Sequence, residues 1–231
     1  MLKVKLLCRD LWEKMVVINN MTDTKDLVIY GAGGLGREIL SLIRRDYADE
    51  WQVVGFIVDC SDRPDMVEGV PVFSPEYLKT AGLAVVFGFA DTHQKNKRLT
   101  QLECCNNLSF PNILSRQAIV SPDAKLGKGV VVTDFCNIST KATIGDAVFI
   151  NMGTLIGHDV VIERACSIMP QCAVSGFVKV GQETFIGAHS FIMQGKNIGK
   201  DVTIAAGSVV CRDVDDGGIA MGNPAKVLKR K

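Results

Sequence analysis

The sequence has no Cys-x-x-Cys pair, no apolar run long enough to span a bilayer, no long basic stretch and no low-complexity linker. Each absence removes a class of function. A net charge of +1 with no basic cluster argues against nucleic acid or a membrane surface as partner. Residues 1–20 scatter Lys3, Lys5, Arg9, Asp10, Glu13 and Lys14 among apolar residues, so no clean signal-peptide core exists. Met21 then opens a polar lead-in, and residues 1–25 are expected to be an N-terminal extension. The eight cysteines lack the spacing of a metal site, and Cys104 and Cys105 are adjacent. Structural thiols in a reducing cytoplasm are the expectation, with no metal.

What the sequence does have is a beat. Sixteen successive positions, every sixth residue from Val120 to Val210, carry Ile, Leu or Val. Four places after each stands a small or β-branched residue, as at Ala124, Cys136, Ala142, Cys166 and Cys172, with Lys196 the one exception. The place after the beat is often glycine, at 127, 145, 157, 181, 187 and 199. A period of six fits neither a helix nor an ordinary strand. It fits a chain that turns a corner every six residues, three sides closing an 18-residue triangular coil. Stacked coils then pair as parallel strands about 4.8 Å apart. The beat and the small residue fill the interior, so the three cysteines in those slots act as compact hydrophobes. Hexads are expected from 120 to 215. Such a prism would expose apolar residues such as Val131, Phe149, Val161 and Phe177 on its outside, for another subunit to cover.

The first half follows a different rule. An apolar strand over 26–30 runs into Gly31-Ala-Gly33-Gly34-Leu35-Gly36, and a helical pattern follows from Arg37 to Tyr47. Further strands are expected at 52–58, 83–87 and 108–113, and helices at 75–81 and 94–104, with turns over 60–71. The alternation predicts an α/β domain with a small parallel sheet. The two halves meet near 109–119 and should pack directly. Between strand and helix, Gly31-x-Gly33-x-x-Gly36 has the form of a phosphate-cradling turn. Asp59 closes the second strand, where an acid can accept from ribose hydroxyls. With only one mononucleotide half visible, a nucleotide-sugar is favoured over NAD.

His158 stands in Ile156-Gly-His-Asp-Val-Val-Ile162, in the third place of its hexad, and so points off the prism. Asp159 follows, close enough to orient a protonatable imidazole. One coil further on, the residue in the same place is Gly176, which leaves a slot beside the ring. His189 reads as a solvated or subunit-contact residue, and His93 as a loop residue. No residue of the ladder looks like a covalent nucleophile.

Taken together, Leu27-Val-Ile-Tyr-Gly-Ala-Gly-Gly-Leu-Gly-Arg-Glu38, Gly55-Phe-Ile-Val-Asp59, the hexad ladder with Ile156-Gly-His-Asp159, and Gly222-Asn-Pro-Ala-Lys226 resemble bacterial sugar acyltransferases of the NeuD/PglD type. The resemblance covers 26–230. It implies a Rossmann-like nucleotide-sugar-binding domain over 26–110, a left-handed parallel β-helix of hexapeptide repeats over 111–215, a tail over 216–231, and a homotrimer. It also implies acetyl-CoA as co-substrate and a sugar acceptor, such as a nucleotide-linked amino-sugar, in glycan biosynthesis. By the same resemblance the acceptor would touch Gly33, Gly34, Leu35, Asp59 and Gly88. His158 would be the general base, Asp159 its support, and Asn151 a neighbour. CoA would run near Ser167, Gly176, Ala188, Gly207, Pro224, Ala225 and Lys226. One departure concerns the glycine loop, where such amino-sugar enzymes often carry histidine and this chain has Leu35.

Amine and hydroxyl acceptors need the same base. An N-acetyltransferase is therefore the first expectation. O-acetyl transfer to a sugar such as sialic acid, and a non-catalytic partner of a sugar-biosynthetic enzyme, stay open on the sequence. A redox role for the glycine loop is the last alternative.

Overall fold

A computed structural model of the chain describes residues 24–79 and 82–229. The expected extension lies, up to residue 23, outside the described residues. Six strands form the first sheet: β1 (Lys25–Tyr30), β2 (Trp51–Ile57), β3 (Met66–Val67), β4 (Val70–Phe73), β5 (Leu83–Phe87) and β6 (Leu108–Ser109), in the order β3-β4-β2-β1-β5-β6. All neighbours are parallel except the β3–β4 pair. That hairpin falls in a stretch expected to be turn alone. Glu68 and Gly69 both take positive φ, which folds the chain back tightly, and Val70 and Val72 are then buried.

Helix α1 (Gly34–Asp46) starts inside the glycine loop, three residues before the expected start. Its Ile39, Leu40, Leu42 and Ile43 pack on Leu27, Ile29, Phe56, Ala84 and Val86. Helix α2 (Thr92–Leu102) covers the opposite face, where Leu99 meets Val28, Tyr30, Ile57, Val85 and Phe87. The Asp91 carboxylate caps α2 by accepting from the Gln94 N–H at 2.8 Å. His93, expected in a loop, thus sits in the first turn of a helix. The helix expected over 75–81 is a 3-10 turn, Pro75–Lys79.

Beyond Ser109 the chain becomes a parallel β-solenoid. Two-residue strands stack at a spacing of 18, so that Val131 pairs with Phe149, Phe149 with Ser167 and Ser167 with Phe185. Three sheets of eight, six and five strands form the sides. We call the turn from the eight- to the six-stranded sheet the first corner, from six to five the second, and from five to eight the third. The beat residues and the cysteines Cys136, Cys166 and Cys172 fill one continuous core. At each of fourteen successive corners, from Gly129 to Gly207, the third residue after the beat has φ between 51° and 70°. Ten of those residues are not glycine, so the coil imposes a left-handed conformation that L residues otherwise avoid.

Both ends depart from expectation. The ladder starts one hexad early, with Ile113–Leu114 paired to Val131–Val132, and the strand expected over 108–113 is therefore split between the two domains. At the far end Val209–Val210 keep the spacing of 18, but Ile198 bridges Val214 and Ile204 pairs with Ala220, each 16 residues on. The last coil is two residues short at its second corner. No full turn closes over Lys196, which explains why a half-buried lysine occupies a slot that is small elsewhere. The tail expected over 216–231 contributes, within its described residues, a hairpin, Gly218–Gly222 with Ala225–Lys229, that extends the eight-stranded sheet.

The three outer faces differ. Val131 and Phe149 were expected on an exposed face, yet each is 2% exposed, because the α/β domain packs over the eight-stranded sheet. Arg45 grips Asp134 with two nitrogens at 2.8 and 2.7 Å, and the Tyr47 hydroxyl donates to the Leu114 carbonyl at 2.7 Å. The five-stranded face is mostly polar, with Lys125, Thr143, Val161, Lys179 and Asn197 pointing outward. The six-stranded face is apolar and bare: Ile119 is 66% exposed, Leu155 53%, and Phe191 40%.

Candidate functional site

The geometry at the second corner is set by the repeat. Gly157 must be glycine, because a Cβ there would come within 2.6 Å of the Gly176 nitrogen in the next coil. His158 then projects outward, and Asp159 takes the left-handed position at φ 57°. The imidazole Nδ1 lies 3.0 Å from Asp159 Oδ2. A carboxylate can only accept, so the neutral ring carries its proton on Nδ1 and its lone pair on Nε2. The ring leans over the next coil, where a Cβ on Gly176 would stand 2.6 Å from Nε2. Phe177, in the column of Asp159, meets the imidazole edge-on with centroids 4.9 Å apart. The histidine is thus oriented on two sides and half exposed, and Nε2 has no hydrogen-bond partner among the described residues. A cavity of about 370 Å³, lined by Asn137, Ser139, Leu155, Gly157, Ala173 and Ser175 among others, adjoins this corner on the six-stranded face.

Asn151 lies at the first corner. Its Oδ1 accepts from the Met152 N–H at 2.7 Å and the Thr133 hydroxyl at 3.2 Å. Among the described residues no hydrogen bond or ion pair links it to His158. It opens instead on a cavity of about 240 Å³ walled by Glu38, Ser41, Leu42 and Arg45 of α1. Ala188 and Gly207 share the first corner, joined by a 2.8 Å bond from the Gly207 N–H to the Ala188 carbonyl. The Pro224–Lys226 segment forms the turn of the terminal hairpin and the start of its second strand.

One expected donor contact is corrected. Ser167 is fully buried and accepts from the Lys95 ammonium at 2.7 Å, because α2 lies over this stretch of the eight-stranded sheet. It cannot face CoA. The buried thiols Cys136, Cys166 and Cys172 are poor nucleophiles: burial raises all three, Cys166 to about 12.

The second cluster surrounds the glycine loop. Gly31, Gly36 and Gly88 knot the loop to the sheet: a Cβ on Gly88 would lie 2.8 Å from the Gly36 Cα, and one on Gly31 would lie 3.0 Å from the Gly88 carbonyl. Gly33 and Gly34 face open space, with nothing within 4 Å of an added Cβ. Gly33 caps α1 without a side-chain bond, which leaves first-turn N–H groups of a 13-residue helix pointing outward. Leu35 is partly buried against the α1 core cluster. At the end of β2, Asp59 accepts from the Tyr30 hydroxyl at 2.8 Å and pairs with Arg98 at 3.0 Å. Burial first, then the Asp59 carboxylate, push the Tyr30 hydroxyl well above its ordinary range.

Sequence reasoning missed Tyr30, Arg98 and Lys95, and gave Phe177 only as a surface residue for another subunit to cover. Phe177 was readable as the occupant of the Asp159 column. The other three carry no local signal.

A sequence model of the hexapeptide repeat of succinyl-transferase matches residues 177–212. GDP-perosamine N-acetyltransferase of Escherichia coli O157:H7 is 27% identical over 214 residues, covering 87% of this chain and 96% of that enzyme. Perosamine N-acetyltransferase from Caulobacter crescentus, solved as an asparagine-for-histidine variant with CoA and GDP-perosamine, is 30% identical with a TM-score of 0.80, over 89% of this chain and 97% of that one. The acetyltransferase domain of PglB from Neisseria gonorrhoeae FA1090, solved with acetyl coenzyme A, is 26% identical with a TM-score of 0.81, over 89% of this chain and all of that one. The chain therefore belongs to the hexapeptide-repeat sugar acetyltransferases of the NeuD/PglD type and is an acyltransferase.

Proposed function

We propose that this protein transfers the acetyl group of acetyl-CoA to the amino group of a nucleotide-linked amino-sugar. The observation that carries the reading is the His158 corner: a ring braced by Asp159 and Phe177, its lone pair over a glycine and open to ligand. The α/β domain serves as a Rossmann-like acceptor domain. The first-turn N–H groups of α1 hold the diphosphate over Gly33 and Gly34, and Asp59 takes the nucleoside. The two solved relatives, one holding CoA with GDP-perosamine and the other acetyl coenzyme A, support both ligand classes.

The acceptor amine attacks the thioester carbonyl carbon directly. Nε2 of His158 takes the proton as the C–N bond forms, and Asp159 stabilises the imidazolium. The tetrahedral adduct then expels the CoA thiolate. No acyl-enzyme is needed, consistent with thiols that are buried and held protonated.

Half of the site comes from a second copy. The apolar six-stranded face separates the His158 corner from the Asn151 corner, and a closed trimer built on that face sets the second corner of one subunit against the first corner of the next. Asn151, Ala188 and Gly207 of one chain then line the groove that serves His158 of its neighbour, with CoA passing Gly176 and the Pro224–Lys226 hairpin. In this arrangement the cavity between α1 and Asn151 opens beside the groove that serves the base.

His158→Ala is expected to lower kcat by ~10²–10⁴ with little change in melting temperature, measured by CoA release with GDP-, UDP- and dTDP-linked amino-sugars. Wild-type-like turnover in that variant refutes the base assignment. Acetylation of free sugar hydroxyls in place of these amines refutes the acceptor class.

A further inference from the structure

Asp59 is already held by the protein through one oxygen. Its Oδ1 accepts from the Tyr30 hydroxyl and lies 3.0 Å from the Arg98 guanidinium, while Oδ2 makes no hydrogen bond among the described residues. A carboxylate free to rotate offers a ligand a smeared acceptor. One pinned through a single oxygen presents the other in a fixed direction. Arg98 is itself constrained: it lies 5.9 Å over the Tyr30 ring and donates to the Gln101 side chain at 2.9 Å.

Three residues earlier, on the same side of α2, Lys95 is 1% exposed. Its ammonium donates to the Cys166 carbonyl at 2.9 Å and the Ser167 hydroxyl at 2.7 Å, both on the solenoid. His93 Nε2 at 3.0 Å from Asp201, and a bond from the Asn96 amide to Glu183, fasten the same helix further. One turn of α2 is tied to the solenoid, and the next turn to the acid at the mouth of the sheet.

We propose that Arg98 is a positioning residue for nucleoside recognition. It fixes Asp59 so that Oδ2 accepts from ribose hydroxyls or base N–H groups of the acceptor, and Lys95 fixes Arg98 by anchoring α2. The helix is then a strut that holds the nucleoside acid in register with the solenoid that carries the base. The inference rests on the nucleotide-linked acceptor of the proposed function, but nucleotide binding tests it apart from acetyl transfer.

The experiment is calorimetric titration of the full chain with GDP, UDP, dTDP and, separately, CoA. Arg98→Met should weaken the tightest nucleotide about tenfold or more, since a charge-assisted contact is lost. CoA affinity and melting temperature should hold. Arg98→Lys should restore part of the loss. Lys95→Met should act in the same direction more weakly, and less than additively with Arg98→Met. Where Lys95→Met yields no folded protein, the Arg98 pair alone decides. Unchanged nucleotide affinity in Arg98→Met overturns the proposal. So does a wild type that binds no nucleotide, or a joint loss of CoA binding and thermal stability. A wild type that binds nucleotide, loses it in Arg98→Met and yet transfers no acetyl group sinks the acetyltransfer reading and supports the strut.

Discussion

The eight-stranded and six-stranded faces of the prism are built on one hexad, with the same inward residues and the same corners, yet they have opposite fates. Val131 and Phe149 on the first are buried beneath the α/β domain, whereas Ile119, Leu155 and Phe191 on the second are bare. The inward positions specify the coil and tolerate little choice. The residue before each beat is free of that constraint, and it decides what the coil is attached to. One face is closed within the chain, and the other is left exposed, the face on which the proposed trimer is built.

The sharpest way to break this contrast is to place the same charge on both faces. Val131→Asp buries an unpaired carboxylate and should cost several kcal/mol, enough that little folded protein is recovered. Leu155→Asp should leave the monomer folded, with a melting curve by circular dichroism showing the solenoid intact. Light scattering should report loss of the proposed trimer, and turnover should fall with it. A trimeric, active Leu155→Asp variant would mean that the six-stranded face is not the contact.

Next in size is Gly176→Ala. Gly176 has an ordinary φ, so the backbone accepts alanine, but the added methyl collides with the His158 ring. We expect kcat to fall roughly ten- to a hundredfold, within what a misplaced general base loses, with a small change in stability. A pH–rate profile compared with wild type reads the displaced base directly. Asp159→Asn should cost less, about tenfold, because asparagine tolerates the left-handed backbone and keeps an acceptor oxygen.

A last effect, on stability and not on turnover, lies at the covered face. Asp46 is buried, and its hydrogen bonds to Arg45, helped by the Arg116 N–H, hold its carboxyl at about 2. This value is below the ordinary 3.8, so the ionised form stabilises the fold. That stability is present above about pH 4 and is lost as pH falls towards 2. Asp46→Asn should therefore lower stability by about 2 kcal/mol at neutral pH, and the gap to wild type should close at pH 2 to 3 in urea melts.

The solenoid was legible because its constraint repeats. A position that must be Ile, Leu or Val sixteen times over leaves a signal no single site could, and the same arithmetic put Gly176 beside His158. The ends were not, since Leu114 keeps the beat but one hexad lies too close to Pro111 to stand out, and a coil two residues short breaks the count. The α/β alternation was legible in outline, with β4 hidden in a stretch rich in turn residues. What the sequence could not yield was anything that joins distant segments. The burial of Val131, the occupation of Ser167 by Lys95 and the capture of Asp59 by Arg98 each depend on how two elements dock. Asn151 and His158 lie seven residues apart, yet the coil sends them to different corners.

The shortened last coil has a bearing on solubility. A stack of parallel rungs ends in unpaired backbone groups and can serve as a template for unlimited end-to-end growth. Here the missing two residues put the terminal rung out of phase, and the antiparallel hairpin at Ala225–Lys229 occupies the rim of the largest sheet. A second molecule would meet an antiparallel strand there in place of a parallel rung, which disfavours end-to-end stacking through that edge.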